Sequence, residues 1–274
     1  MILLHLVLAA LYAYAVWALW PAPAQAPAVG ITPGTPQWSG NAPIVIPAAL
    51  ILHAWLVSMD VAKPQGLDVS FANALSAVAA LTAIVAWATG LMRTLPIIAT
   101  VVLPTAGVFS MLPAAGSTPH VFPYAEAPWA TAHVAVALLA YSLFIVAAVQ
   151  AVVLMWLEKR LHRGIADASG AELPPLLTLE RFLFRIVTLA FLLLTLTVVS
   201  GVFFSEAIFG KPLTFNHKSV FSIVAWFVFG ALLLGRQRYG WRGRVALRWI
   251  LTGTTLLVLA YLGSKFVLEV LLHR

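Results

Sequence analysis

The side chains best suited to chemistry in this chain are its seven histidines. Imidazole is a good ligand for a haem iron or a soft divalent metal near neutral pH. His133 lies one helical turn after Trp129 at the start of a long apolar run, and His217 lies beside Lys218 where a later run begins. His273 is the next-to-last residue of the chain. Whether these histidines can act together depends on the elements that carry them.

The composition requires a membrane for those elements. Only 9% of the 274 residues are charged and the mean hydropathy is +0.98, whereas soluble domains carry roughly 25% charged residues. Long apolar runs of about 20 residues span a bilayer as helices. We predict an all-α integral membrane protein, a bundle of about eight transmembrane helices: Met1–Trp20, Pro43–Met59, Ser70–Leu91, Leu95–Leu112, Trp129–Leu157, Phe182–Phe204, Val220–Leu234 and Leu247–Leu271.

Two details of this scheme stay open. Pro96 and Pro104 interrupt the fourth span, which is expected to be kinked or partly re-entrant. The first span resembles a signal peptide, but it has no basic segment before its apolar run, so we predict that it is retained. We divide the chain into residues 1–42, a first transmembrane helix with a Pro/Ala-rich loop, and residues 43–274, the main transmembrane domain.

Basic residues orient the bundle. They concentrate after the fifth span and after the seventh, and we place both loops in the cytoplasm: Lys159, Arg160, Arg163, Arg236, Arg238, Arg242, Arg244 and Arg248. Eight spans then put both termini outside a bacterial inner (plasma) membrane. The net charge of +7 is explained by this orientation signal and by contact with membrane lipid, so nucleic acid is not an expected partner.

This orientation brings five histidines to the outer side: His5, His120, His133, His217 and His273. Trp129 and His133 fit an axial haem ligand at the interface, and they equally fit an aromatic belt beside a half-solvated histidine. Lys218 at a helix start opposes the helix dipole, which suggests binding of a carboxylate, although snorkelling explains it as well. His5, His120 and His273 are by default solvated or frayed residues.

His53 is the membrane-embedded candidate because it lies within an apolar run. A titratable side chain at this depth is costly and marks a possible site. A buried histidine with hydrogen-bond partners is as good an explanation as a ligand or proton carrier. The chain has no cysteine, which excludes thiol–disulfide carriers, iron–sulfur clusters and haem attached through Cys. We also find no Walker, GxSxG or HExxH motif and predict no catalytic residue.

Several segments resemble the CcsA-type cytochrome c assembly protein family, and in proportions its small HemX/YpjD-like branch. Residues 129–142 are similar to that family's outer-histidine helix, and residues 197–209 resemble the approach to its Trp-rich haem-handling loop. That loop typically ends in Trp-Asp-Pro-Lys-Glu-Thr-Trp, whereas here Phe215-Asn-His-Lys-Ser-Val-Phe221 keeps only the lysine. Residues 260–273 resemble the last helix, which leads into the family's second outer histidine.

The resemblance implies non-covalent haem as cofactor, bound or presented at the outer face for cytochrome maturation. It implies that His133 and His273 hold the haem iron, that His217 occupies the degenerate Trp-rich segment, and that Trp129 and Lys218 line the site. Implied partners are haem, other cytochrome assembly proteins or an apocytochrome. The alternatives are a non-catalytic scaffold or regulator that acts through arginine-rich loops, and a transporter of haem or another small molecule.

Overall fold

The computed structural model describes residues 1–19, 41–64, 66–116, 121–122, 128–162, 175–203 and 217–263. The Pro/Ala-rich loop, His120 and His273 lie outside these residues, as does the side chain of His217. The helices run in chain order as α1 Ile2–Leu19, α2 Ala42–Val61, α3 Phe71–Ala88, α4 Leu91–Thr94, α5 Pro96–Ser110, α6 Pro128–His162, α7 Leu176–Phe203, α8 His217–Tyr239 and α9 Gly243–Val258.

The prediction of an all-α membrane bundle is confirmed. Within the described ranges, eight helical segments are long and apolar enough to cross a membrane. Only α4 among the helices is too short, and it forms the turn between α3 and α5. Gly90 starts that turn with φ of 73°, a left-handed conformation that glycine adopts without steric cost. The connection between the third and fourth spans is therefore a single helical turn.

Helix α5 differs from one of the two alternatives predicted for the fourth span. It is continuous from Pro96 to Ser110 and includes Pro104, so a re-entrant segment is wrong for these residues. Pro96 stands in the first turn of the helix, where its missing N–H costs nothing. A short 3₁₀ turn, Pro113–Ala115, follows. The proline at position 104 removes one hydrogen bond but does not end the helix, because the bilayer offers the backbone no better state.

Several helices are longer than the apolar runs that predicted them. Helix α6 has 35 residues, or about 52 Å at roughly 1.5 Å per residue, against about 30 Å for the hydrocarbon core. Helix α7 begins at Leu176, six residues before the predicted span. Hydropathy marks the part of a helix that lies in lipid, whereas the hydrogen-bonded backbone continues beyond it.

A small antiparallel sheet fixes which loops share a face. Strand β1, Ala62–Lys63, pairs with β2, Gly66–Asp68, and β2 pairs with β3, Val121–Phe122. The loops after α2 and after α5 therefore lie together. We call this side the histidine face, because it also carries the N-terminal ends of α6 and α8, where His133 and His217 lie. The opposite side, with the α8–α9 turn, is called the arginine face.

The core is centred on α6, which packs against α3, α7 and α9, while α1 packs against α2 and α5. Phe144 of α6 and Phe229 of α8 are fully buried and stack with ring centroids 3.9 Å apart. Gly253 of α9 faces the ring of Phe229. These contacts join α6, α8 and α9 at mid-depth and so hold their histidine-face ends in place.

Candidate functional site

His133 is half-buried on α6, near the histidine face, and rests against the end of α7. Its Nδ1 lies 2.8 Å from the hydroxyl of Ser200. A Cβ built on Gly201 would lie 3.5 Å from Cε1 of the ring, so the imidazole lies over the Ser200-Gly201 backbone. The histidine that was expected near an interface therefore also makes a specific contact with a second helix, α7.

Lys218, in the first turn of α8, lies beside this histidine. It is close enough to act electrostatically on His133, and its ammonium lies 4.7 Å from the centre of the Tyr261 ring. Tyr261 belongs to a π-helical turn, Leu259–Gly263, that extends α9, and its ring centroid is 5.8 Å from that of Tyr141. With Ser200 of α7 included, four helices thus contribute to one cluster of an imidazole, a hydroxyl, a cation and two phenols.

This cluster, which we call the His133 cluster, comprises His133, Ser200, Lys218, Tyr141 and Tyr261. The Ser222 side chain of α8 also lies near the phenol of Tyr141, so α6 and α8 approach each other beside the cation. The arrangement offers a nitrogen ligand, a positive charge for an acidic group and aromatic walls. An amphiphile with a metal centre and carboxylates requires groups of these three kinds.

The other predicted site residues are only partly described. Trp129 is on the same helix as His133 and is 76% exposed. His217 begins α8, next to Lys218, and so its backbone lies at the histidine face. Nothing in the described residues places the side chain of His217 or any part of His273, and their assignment as haem-binding residues stays a prediction.

His53 has a partner at each ring nitrogen. The phenol of Tyr12 lies 2.9 Å from Nδ1, and the hydroxyl of Ser76 lies 3.1 Å from Nε2. The imidazole is fully buried at the junction of α1, α2 and α3. These contacts satisfy the polar groups of the ring within the bundle, which is what a structural histidine requires.

His5 is the residue whose environment the sequence pattern missed. It was expected to be a frayed terminal residue, but it is only 2% exposed. Its Nδ1 donates to the carbonyl of Ser110, 2.6 Å away, and its Nε2 lies 3.3 Å from Oδ2 of Asp60. That oxygen makes no hydrogen bond to a described residue, so the contact with His5 is electrostatic. No local signal marks this group of three residues, because His5, Asp60 and Ser110 come from three different helices.

The arginine-rich turn is partly used within the bundle. The Arg236 guanidinium lies 3.4 Å from the centre of the Phe184 ring and 3.8 Å from a carboxylate oxygen of Glu180. Arg244 lies 3.2 Å from Glu158. Arg238, Arg242 and Arg244 are all exposed. Arg236 links α8 to α7, and Arg244 links α9 to α6, at this face.

Comparison with known proteins decides the family. A model of the "Cytochrome C assembly protein" family matches residues 43–272. The chain belongs to the cytochrome c assembly protein family. It is 37% identical over 144 residues to the inner membrane protein YpjD of Escherichia coli, an alignment that covers 53% of this chain and 54% of that protein. The chain therefore spans about half the length of the curated relatives it matches.

A second relative carries a more specific name. The chain is 31% identical over 107 residues to the cytochrome c biogenesis protein CcsA of a Synechocystis species. This alignment covers 39% of this chain and 32% of that protein. No solved structure matches. The family match leaves out α1, whose contacts with α2 and α5 nevertheless make it part of the same bundle.

The residues of the His133 cluster fit haem better than a bare metal ion. Within the described ranges no group of three or more His, Cys, Asp or Glu could hold a metal ion. Haem brings four of its own nitrogens and needs only axial ligands from the protein. One imidazole held through Nδ1, with a cation at hand for a propionate, meets that requirement.

Proposed function

We propose that this chain binds haem at the histidine face and presents it for cytochrome maturation. The observation that carries the proposal is the seating of His133 against Ser200, next to Lys218, in a chain of the cytochrome c assembly family. Metal-bound histidines typically donate their other ring N–H to a neighbouring acceptor. When haem is bound, His133 would hold its iron and Lys218 would meet a propionate.

His273 is proposed as the second axial ligand, on the strength of the family resemblance. The π-helical turn Leu259–Gly263, which carries Tyr261, extends α9 toward the histidine face. Trp129 and His217 are proposed to lie beside the haem ring. The chain itself performs no covalent step in this scheme. Haem attachment belongs to the apocytochrome and to other assembly proteins.

The proposal includes an orientation. The histidine face is placed outside a bacterial inner membrane, because the arginine face carries most of the basic residues. Haem presented there would meet an apocytochrome outside the cytoplasm. The name of the Escherichia coli relative, an inner membrane protein, supports the choice of membrane.

An absorption titration tests haem binding. Purified protein in detergent is loaded with haemin and its Soret band is recorded. We expect a saturable Soret band in the wild type. We expect His133→Ala to lower the affinity for haemin at least tenfold. The matched control is His162→Ala on the same helix, since His162 is exposed at the arginine face and is bonded only locally, to the Glu158 carbonyl at 2.8 Å. Absence of a Soret band, or equal affinities for His133→Ala and wild type, would overturn the proposal.

The spectrum of bound haem reports whether a second imidazole coordinates the iron. With two imidazoles, haem iron is six-coordinate and low-spin, and loss of one gives a five-coordinate, high-spin form. His273→Ala is therefore expected to shift the Soret band and produce a high-spin electron paramagnetic resonance signal while haem stays bound. A low-spin spectrum unchanged by His273→Ala would assign the second position to another residue.

The scaffold and transporter alternatives stay predictions. A scaffold acting through the arginine face would bind a partner through Arg238 and Arg242, whose side chains are exposed. A haem transporter would depend on His53, whose two ring nitrogens already have partners. No described contact favours either function over haem binding at the histidine face.

A further inference from the structure

The hydroxyl of Ser200 lies within hydrogen-bond distance of two groups. Its Oγ is 3.1 Å from the carbonyl oxygen of Thr197 and 2.8 Å from Nδ1 of His133. A carbonyl can only accept a hydrogen bond, and a serine hydroxyl has one proton to donate. When that proton goes to Thr197, the oxygen of Ser200 accepts from His133.

These two hydrogen bonds distinguish the two neutral tautomers of the His133 imidazole. Both hydrogen bonds form only if Nδ1 of His133 carries a proton. If Nδ1 were the bare nitrogen, the Ser200 proton would have to leave Thr197, and one of the two bonds would be lost. The worth of one net hydrogen bond is a preference of about two- to tenfold. These two contacts therefore favour a neutral His133 ring with its proton on Nδ1 and its lone pair on Nε2.

Neighbouring groups leave this assignment intact. The hydroxyl of Thr197 donates to the carbonyl of Leu193 at 2.9 Å and so uses its own proton elsewhere. Gly201 offers the ring only an ordinary van der Waals contact, at Cε1.

We propose that Ser200 is a positioning residue, which holds His133 in the Nδ1-protonated tautomer and so directs the Nε2 lone pair toward a haem iron. The identity of the iron ligand rests on the proposed function, whereas the tautomer rests on the geometry alone. The serine touches no haem in this scheme. It acts through the histidine by fixing both the orientation of the ring and the nitrogen that coordinates.

Nitrogen NMR on the haem-free protein tests the tautomer. Protein labelled with ¹⁵N-histidine is measured in detergent above pH 8, where an ordinary imidazole is neutral, and His133 is assigned by the signals missing in His133→Ala. We expect a protonated Nδ1 and a bare Nε2 in the wild type. Ser200→Ala should move the signals toward the other tautomer, and Ser200→Thr, which keeps the hydroxyl, should restore them.

Thr188→Ala is the control on the same helix, because the hydroxyl of Thr188 donates to the carbonyl of Phe184 at 2.8 Å, within its own helix. It should leave the His133 signals unchanged. A wild-type ring protonated on Nε2 overturns the proposal, and so does a Ser200→Ala spectrum identical to wild type. The wild-type measurement decides the tautomer even if Ser200→Ala does not fold.

Haem titration of the same variants separates the two proposals. Loss of an outer-shell partner of a ligating histidine lowers metal affinity about 10- to 100-fold, so Ser200→Ala should weaken haem binding by about tenfold and Ser200→Thr by much less. If wild type binds no haem while the tautomer follows Ser200, the proposed function fails and the positioning of the ring stands. If haem binds through His133 with the same affinity and tautomer in Ser200→Ala, the positioning role fails and the proposed function stands.

Discussion

Tyr12 and His53 meet across the interface of α1 and α2, where the phenol oxygen and Nδ1 lie 2.9 Å apart. Their rings pack edge-to-face, with centroids 5.6 Å apart. Tyr12 precedes the part of the chain that matches the family model, and His53 lies within it. The contact therefore joins the N-terminal helix to the family domain at a depth where no water competes for the hydrogen bond.

Removing the Tyr12 hydroxyl should destabilise the bundle. In Tyr12→Phe, Nδ1 of His53 loses its partner while fully buried, which costs about 1–3 kcal/mol. Denaturant or thermal unfolding in detergent measures the loss. Tyr14→Phe is the matched control on the same helix, because Tyr14 is 39% exposed and faces away from His53. Equal stability of the two variants would contradict a bonded His53.

Gly253→Ala should strain the core where α9 crosses α8. The new Cβ would lie 2.6 Å from the far end of the Phe229 ring, which cannot move freely because it stacks on Phe144. Overpacking of this kind costs about 1–3 kcal/mol. Gly230→Ala is the control, since its Cβ would meet Phe191 at an ordinary 3.5 Å. We expect a lower unfolding temperature for Gly253→Ala and little change for Gly230→Ala.

Lys218 should contribute to haem affinity through its charge. Lys218→Ala removes the cation beside His133 and over Tyr261 and is expected to weaken haem binding by up to about fivefold, the range of an exposed ion pair. Lys218→Arg should keep most of the affinity. Lys63→Ala, at the same face but bonded to the Met59 carbonyl, is the control. A Lys218→Ala affinity equal to that of Lys63→Ala would remove Lys218 from the site.

The absence of cysteine makes the orientation directly measurable. Single cysteines are introduced at Lys63 and at Arg238, both exposed but on opposite faces. A membrane-impermeant maleimide added to intact spheroplasts should label Lys63→Cys, whereas Arg238→Cys should react only after the membrane is opened. The reverse pattern would place the histidine face in the cytoplasm and with it the haem site.

The sequence and the structure agree on the features that depend only on the order of residues along the chain. A helix that crosses about 30 Å of hydrocarbon needs a long apolar run, and such runs can be read from the chain directly. The eight spans and the shared face of Lys63, His133 and Lys218 follow from run lengths and from the alternation of direction. The helix ends, such as Leu176 and His162, did not follow from hydropathy, since helices continue into the polar region.

What the sequence determined by itself is a bundle of spanning helices, the histidines that share a face, and a resemblance that singled out His133. Only the tertiary structure decided what each imidazole contacts. His5, His53 and His133 meet partners 105, 41 and 67 residues away along the chain. Hydrogen bonds between helices depend on how the helices pack and rotate, which apolar runs leave undetermined because lipid accepts every apolar face equally. That packing separates a histidine held by Tyr12 and Ser76 from one held by Ser200 at the histidine face.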